Sequence, residues 1–391
     1  MSAPKRLRVL WLCSWYPSQA DPFSGDFIQR HAIATSDYCD IDVLHCIGLA
    51  DTKDFVCDKV LPKSGLVEWI GYYPKRGFWG RILSPFRWWF SIKQMVDDYL
   101  DQYGVPDLVH VQVPFKSGLM ARYMRWRYSV PYVVTEHWGI YQETTGNRYA
   151  RRSIIFRVLN HLAYGKALLS ISVSSIQAQK LDRYLKPLPY VVVPNAVNTQ
   201  LFFQGESRSP DRFCFIHVSD WSINKNVEGI FNAWRHVRGF HPFAQMLLVG
   251  GKNSNSYRIR QFVGYDQDSI QLIEEVPYHE VARLMQLADC LLLFSQMENS
   301  PCVIGEALCA GLQVIASDVG GVAELMDPAC CQLVPAGDEQ ALVKAMEISI
   351  RKKSSIDRLA VSARARKIFS YEVVGMQITA AYQQVLAKSA D

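Results

Sequence analysis

Apolar residues recur along the chain in short unbroken runs, separated by stretches whose apolar positions keep helical spacing. Unbroken runs of strand length are expected of parallel strands buried on both faces, and their alternation with helices predicts βαβ units. In the first half the pattern predicts strands over 8–12, 41–46, 107–111, 131–135, 167–173 and 190–193. Helices are predicted over 27–34, 118–127, 149–162 and 176–184, and residues 50–74 read as irregular. The pattern then restarts, with strands over 213–218, 244–249, 269–272, 290–294 and 312–316 and helices over 226–237, 279–288, 341–351 and 371–386. The fold class is therefore α/β. Two Rossmann-like, doubly wound domains are expected, 1–195 and 196–370, facing across a cleft, with residues 371–391 as a helix packing back on the N-terminal domain. Ligands of such sheets sit beyond the carboxyl ends of the strands.

The densest chemistry lies in residues 291–324. A buried strand gives way to a polar loop, and Pro301 suits the first position of a helix, where no amide donor is needed. Gly311 suits the helix stop, and Asp318 to Gly321 read as a tight turn. Glu298 in the loop and Glu306 eight residues on frame the helix start, so both reach one pocket. The free amides of a helix N-terminus favour an anionic group such as phosphate. Carboxylates accept hydrogen bonds from sugar hydroxyls. One pocket offering both suits a sugar nucleotide. Gly25, His137, Lys225, Gly250-Gly251 and Gly320-Gly321 also fall in loops at strand ends.

Composition narrows the class. The 391 residues are 49% hydrophobic and 20% charged, enough for two folded cores. The ten cysteines show no C-x-x-C spacing, which speaks for reduced thiols in a cytoplasmic protein rather than a zinc site or disulfide framework. No apolar stretch approaches the length of a spanning helix. Net charge is +5, but residues 1–195 carry +8 and residues 196–391 carry −3. The excess cations sit in acid-free runs interleaved with aromatics, among them Arg81, Arg87, Trp88, Trp89 and Lys93, then Arg125, then Arg151 and Arg152. Such a composition suits a surface lying on anionic lipid, here the inner face of the cytoplasmic membrane. The alternative is that the aromatics are core and the cations simply face water. Nothing resembles a nucleic-acid-binding module.

The ordered set of loops resembles the retaining glycosyltransferases of family 4, which have the GT-B architecture. Glu298 to Glu306 matches the family's E-x7-E. The run from Val218 to Asn226 matches V-G-R-L-x-x-x-K-N, and Pro194-Asn195-Ala196-Val197-Asn198 through Phe202 matches the P-N-G-V-D-x-x-x-F linker. Ser24-Gly25 matches the N-terminal glycine loop. The resemblance implies that Glu298 contacts donor-sugar hydroxyls, Glu306 the ribose, and that the backbone stretch Ser300, Pro301, Cys302 and Val303 surrounds the phosphates, which its free amides hold. It implies that Lys225 neutralises the diphosphate, Gly25 lets backbone approach phosphate or acceptor, and His137 hydrogen-bonds the donor sugar. It further implies a UDP- or GDP-linked donor, transfer with retention, no cofactor and no metal. The acceptor is expected to be a glycan, lipid-linked, in polysaccharide, capsule or lipopolysaccharide synthesis. A soluble transferase acting on a small sugar phosphate and a degenerate GT-B binding protein are the competing readings.

One position departs from the pattern. The family's arginine, partner of the motif lysine, falls on Asp220. Either another cation substitutes, Asp220 points away, or activity is impaired. Lys252, after Gly250-Gly251, is the candidate substitute.

Overall fold

The unbroken apolar runs form the middle of two parallel sheets in a computed structural model that describes residues 6–142, 148–205, 212–251, 255–264 and 268–390. The chain divides into unit 1, Met1–Pro194 with Tyr371–Asp391, and unit 2, Asn195–Ser370.

Unit 1 holds strands β1 (Arg8–Cys13), β2 (Asp40–Leu49), β3 (Val56–Lys63), β4 (Leu66–Pro74), β5 (Leu108–Gln112), β6 (Tyr132–Thr135), β7 (Ser170–Ser172) and β8 (Tyr190–Val192). Their order in the sheet is β3-β4-β2-β1-β5-β6-β7-β8, and only the β3–β4 pair is antiparallel. Val9, Leu10, Trp11 and Leu12 are fully buried, as a strand covered on both faces requires. β1 pairs with β2 on one side and β5 on the other, which makes β1/β5 the switch point of this sheet. The helix Tyr371–Ala390 packs against the helix Asp26–Thr35. Gly375 permits this, because a β-carbon there would stand 2.2 Å from the Ala34 carbonyl oxygen.

Unit 2 holds β9 (Phe213–Ser219), β10 (Ala244–Gly250), β11 (Ile270–Ile273), β12 (Cys290–Leu293), β13 (Gln313–Ser317) and β14 (Cys331–Val334). The order β11-β10-β9-β12-β13-β14 is wholly parallel, with its switch point at β9/β12. The core strands β12 and β13 are buried throughout.

Two expectations need correction, and one segment without a prediction proves helical. Residues 50–74 are not irregular, since they contain β3 and β4. β3 lies at the sheet edge with an exposed, lysine-bearing face, so its apolar signal is weak. The segment after it is helical over Gly77–Ile82 and Ser84–Tyr103, and the longer helix buries Trp88, Ile92, Met95, Val96 and Tyr99. The basic helix expected over 149–162 begins later, at Ile154, after a short 3-10 turn, where Ser153 accepts a hydrogen bond from the Phe156 amide.

Candidate active site

The carboxyl ends of β9 and β12 each release a polar loop, and the two loops are tied together. Gln296 N donates to Asn224 O at 2.7 Å, and Asn224 Nδ2 donates to Met297 O at 2.9 Å. This places Lys225, in the turn Ile223–Lys225, against Glu298, with Nζ to Oε1 at 2.6 Å. The side chains are only 23% and 10% exposed, so the pair is largely withdrawn from water. Asn226 follows in the left-handed region (φ 47°) and caps the helix Val227–Phe240 by accepting from Gly229 N.

His217 braces this end of the sheet from below. Its Nδ1 lies 2.9 Å from Leu292 O, which joins β9 to β12, and its Nε2 lies 2.7 Å from Ser219 Oγ. A carbonyl can only accept, so Nδ1 carries the proton and Nε2 accepts from the serine. Ser219 Oγ accepts in turn from Trp221 N at 3.1 Å. Burial lowers His217 to about 4, so the ring is neutral.

Glu306 is buried in the helix Cys302–Cys309, one turn from its start, and accepts from the Tyr278 hydroxyl at 3.0 Å. Pro301 immediately precedes that helix, so the backbone N–H groups of Cys302 and Val303 belong to its first turn. Ser300 is fixed through its carbonyl, which accepts from Asn195 Nδ2 at 2.7 Å. Asn299 O accepts from Gly321 N at 3.0 Å, so the Gly320-Gly321 turn borders the same loop. The hydroxyls of Ser295, Ser300 and Ser317 are buried near these strand ends with no protein partner among the described residues.

The glycine pair has a structural reason of its own. Gly250 has φ 125°, and a β-carbon there would lie 1.7 Å from Ser219 O. One at Gly251 would lie 2.4 Å from the Trp221 ring. The pair thus lets β10 close on the end of β9. Asp220 is exposed, and its carboxylate accepts from Ser222 N at 3.1 Å, shaping the turn before Lys225. Lys252 lies outside the described residues.

The candidate residues of unit 1 sit at the carboxyl end of its own sheet. Gly25 (φ 71°) precedes the helix Asp26–Thr35, and a β-carbon there would lie 2.8 Å from the Trp15 carbonyl carbon. His137 follows β6, its ring 4.6 Å from that of Phe27 and 6.0 Å from that of His31. Its Nε2 lies 3.1 Å from Gln112 Oε1, an acceptor, so Nε2 carries a proton. Burial, then the nearby His31 and His110, hold His137 well below the ordinary histidine range. Glu136 clamps the loop by accepting from the amides of His137 and Trp138, both at 2.9 Å, while burial raises its carboxyl to about 7. His110 is fixed between the Tyr382 hydroxyl at 2.7 Å and Thr135 Oγ1 at 2.8 Å. Gln112, His217, Asn224 and Tyr278 escaped the sequence reading. For Gln112 and His217 the signal was there: a polar residue at or near the end of a buried parallel strand.

The basic-aromatic runs split. Trp88 is core and Trp89 is half-buried on Tyr123, so neither forms an outer surface. Arg87 donates to Pro74 O at 2.7 Å, and Lys93 pairs with Asp97 at 2.5 Å. Arg125 is half-buried and Arg151 exposed, while Arg152 lies 5.4 Å from the Trp138 ring centroid. The side chain of Arg81 lies outside the described residues. Phe78, Trp79, Phe86 and Phe90, from the same runs, are exposed.

Two parallel α/β units with polar loops at the strand ends define the GT-B class, and the solved structure of HepE from Anabaena with UDP has this fold. It matches over 97% of this chain and 100% of its own, at TM-score 0.71 and 17% identity. Family models agree: "Glycosyltransferase Family 4" matches residues 54–201 and "Glycosyl transferases group 1" matches residues 198–367. The chain belongs to the family 4 type of GT-B glycosyltransferases. MMP α-(1→4)-mannosyltransferase of Mycolicibacterium hassiacum is 24% identical over 300 residues, 73% of this chain and 72% of its own. TuaC of Bacillus subtilis, named for teichuronic acid biosynthesis, is 23% identical over 363 residues, 87% of this chain and 88% of its own.

Proposed function

We propose that this glycosyltransferase moves a hexose or similar sugar, with retention, from a nucleoside-diphosphate donor to a lipid-linked glycan during surface-polysaccharide synthesis, working at the inner face of the cytoplasmic membrane. The observation that carries the donor reading is the Lys225–Glu298 pair at the switch point of unit 2, with Glu306 in the helix that follows the Glu298 loop. A cation and a helix N-terminus suit a diphosphate, and carboxylates suit sugar and ribose hydroxyls. HepE, whose fold this chain shares, binds UDP. The surface-polysaccharide reading draws on the likeness to TuaC.

In this reading Lys225 takes up charge on the leaving diphosphate, a task that needs no metal ion. Glu298 exchanges its lysine contact for a donor-sugar hydroxyl. His137, whose Nε2 lies toward Gln112, hydrogen-bonds a hydroxyl of the donor sugar in this reading. The leaving phosphate takes the acceptor proton.

A panel of UDP- and GDP-sugars, read by thermal shift and by hydrolysis, tests this. One nucleotide sugar should raise the melting temperature and be hydrolysed slowly, and Glu306→Ala should lose both. Absence of any shift or hydrolysis across the panel would leave a GT-B protein that does not use nucleotide sugars.

A further inference from the structure

Three helices of unit 1 lie side by side. Ser84–Tyr103 meets Pro114–Tyr128 where Trp89 packs edge-on against Tyr123, ring centroids 6.1 Å apart. Pro114–Tyr128 meets Ile154–Tyr164 where Phe115 packs on Phe156 at 4.4 Å and Gly118 leaves no room for a β-carbon against Ala163. Each carries large apolar side chains that face water: Trp79, Phe86 and Phe90 on the first and its short leading helix, Trp126 on the second, Ile154 and Ile155 on the third. All six are between 65% and 78% exposed. Monomeric proteins rarely leave this much large apolar surface open on neighbouring elements without an occupant.

Charge identifies the occupant. No Asp or Glu occurs between Glu68 and Asp97, between Asp107 and Glu136, or between Glu143 and Asp182, and Lys and Arg punctuate all three stretches. A second copy of the chain would bring like charges together across a two-fold contact. An anionic bilayer satisfies both features, since tryptophan and phenylalanine seat at the headgroup boundary while cations meet the lipid phosphates. Among the described residues no helix is long and apolar enough to cross a membrane.

We infer that these three helices form a membrane-docking face, with Trp79, Phe86, Phe90, Trp126, Ile154 and Ile155 seated in the headgroup boundary of an anionic bilayer. This deepens the lipid-linked reading above: the face brings unit 1 to the membrane that holds the acceptor. Its test uses neither donor nor acceptor, so the two can fail separately.

The full-length chain is floated with vesicles of phosphatidylcholine alone or of phosphatidylcholine with phosphatidylglycerol. Binding is expected only with phosphatidylglycerol and should weaken with salt, because each cation at the surface contributes about a fivefold factor. Trp79→Ser/Phe86→Ser/Phe90→Ser and Ile154→Ser/Ile155→Ser should each lower partitioning about tenfold or more. Their melting temperatures should match the parent, because these side chains face water. In the parent, brominated lipid should quench tryptophan fluorescence, and Trp79→Phe should lose part of that quenching. Failure to bind either vesicle, or equal binding by parent and both variants, overturns the docking face while leaving the nucleotide-sugar reading intact. A concentration-dependent dimer that these same substitutions dissolve would assign the face to a second copy and overturn it as well.

Discussion

Lys225 and Glu298 hold each other at 2.6 Å from the two loops that leave the switch-point strands of unit 2. Donor binding on the proposed reading separates them, giving the lysine to diphosphate and the carboxylate to sugar. The two substitutions should therefore differ in kind. Lys225→Ala should weaken binding of both the nucleoside diphosphate and the sugar nucleotide by about 10- to 100-fold, the worth of a charge-assisted contact. Glu298→Gln should leave the nucleoside diphosphate bound at least as tightly as in the parent while weakening the sugar nucleotide. Titration calorimetry with both ligands separates these outcomes, and equal losses with both ligands for Glu298→Gln would remove the sugar role from that residue.

The arginine expected beside Lys225 is replaced by Asp220, whose carboxylate is used in the turn to Ser222. If Lys252 supplies the missing charge, Lys252→Ala should raise the donor KM well above that of the exposed control Lys344→Ala. Equal KM values would rule out the substitution.

Gly250 and Gly239 should respond to alanine in opposite directions. At Gly250 the new methyl meets Ser219 O at 1.7 Å in a left-handed backbone, so Gly250→Ala should cost roughly 3 kcal/mol or more. Gly239 is an exposed position of the helix Val227–Phe240 with nothing within 4 Å, so Gly239→Ala should stabilise by about 0.8–1 kcal/mol. Urea denaturation of the three proteins reads both.

Acid should unfold this protein readily. Burial holds His31, His45 and His217 at about 4 and His110 at about 3. The unfolded chain takes up these protons near the ordinary value of 6.5 while the folded chain does not. Stability is thus full above 6.5 and is lost as pH falls toward 4, by about 1.4 kcal/mol per pH unit for each histidine. Glu136 and Asp42, raised to about 7 and about 6, act in the opposite sense, favouring the fold as pH drops from their raised values toward their ordinary ones. Four histidines outweigh two carboxyls, so the urea midpoint should fall steeply from about pH 6.5 to about pH 5. A midpoint that is flat or rises over that interval contradicts the neutral assignment.

The parallel strands were legible in the chain because burial on both faces leaves an unbroken apolar run, as in β1 and β12. What hid was amphipathic or edge-placed. β4 carries the buried Glu68, which accepts from the Tyr16 hydroxyl at 2.6 Å, and that carboxylate interrupts an otherwise apolar run. The long helix Ser84–Tyr103 mixes core aromatics such as Trp88 with exposed ones such as Phe86, so residue type alone did not separate the two. At the candidate site Glu298, Lys225 and His137 could be named from loop position and motif. Asn224, which bonds Met297 O, and Tyr278, which bonds Glu306, could not, because a hydrogen bond between distant segments leaves no periodic trace.

The helix Tyr371–Ala390 completes unit 1 although it is made after all of unit 2. During synthesis the first unit to begin is therefore the last to finish. Until residues 371–390 emerge, Ala34 and Tyr38 lack the helix that covers them, and His110 lacks the Tyr382 hydroxyl. Unit 2 needs no such wait. Its two ends already meet, Val197 N donating to Phe369 O at 2.8 Å, so it is an insertion that can be excised as one piece. A chain ending at residue 370 would carry the whole of unit 2 and an incomplete unit 1.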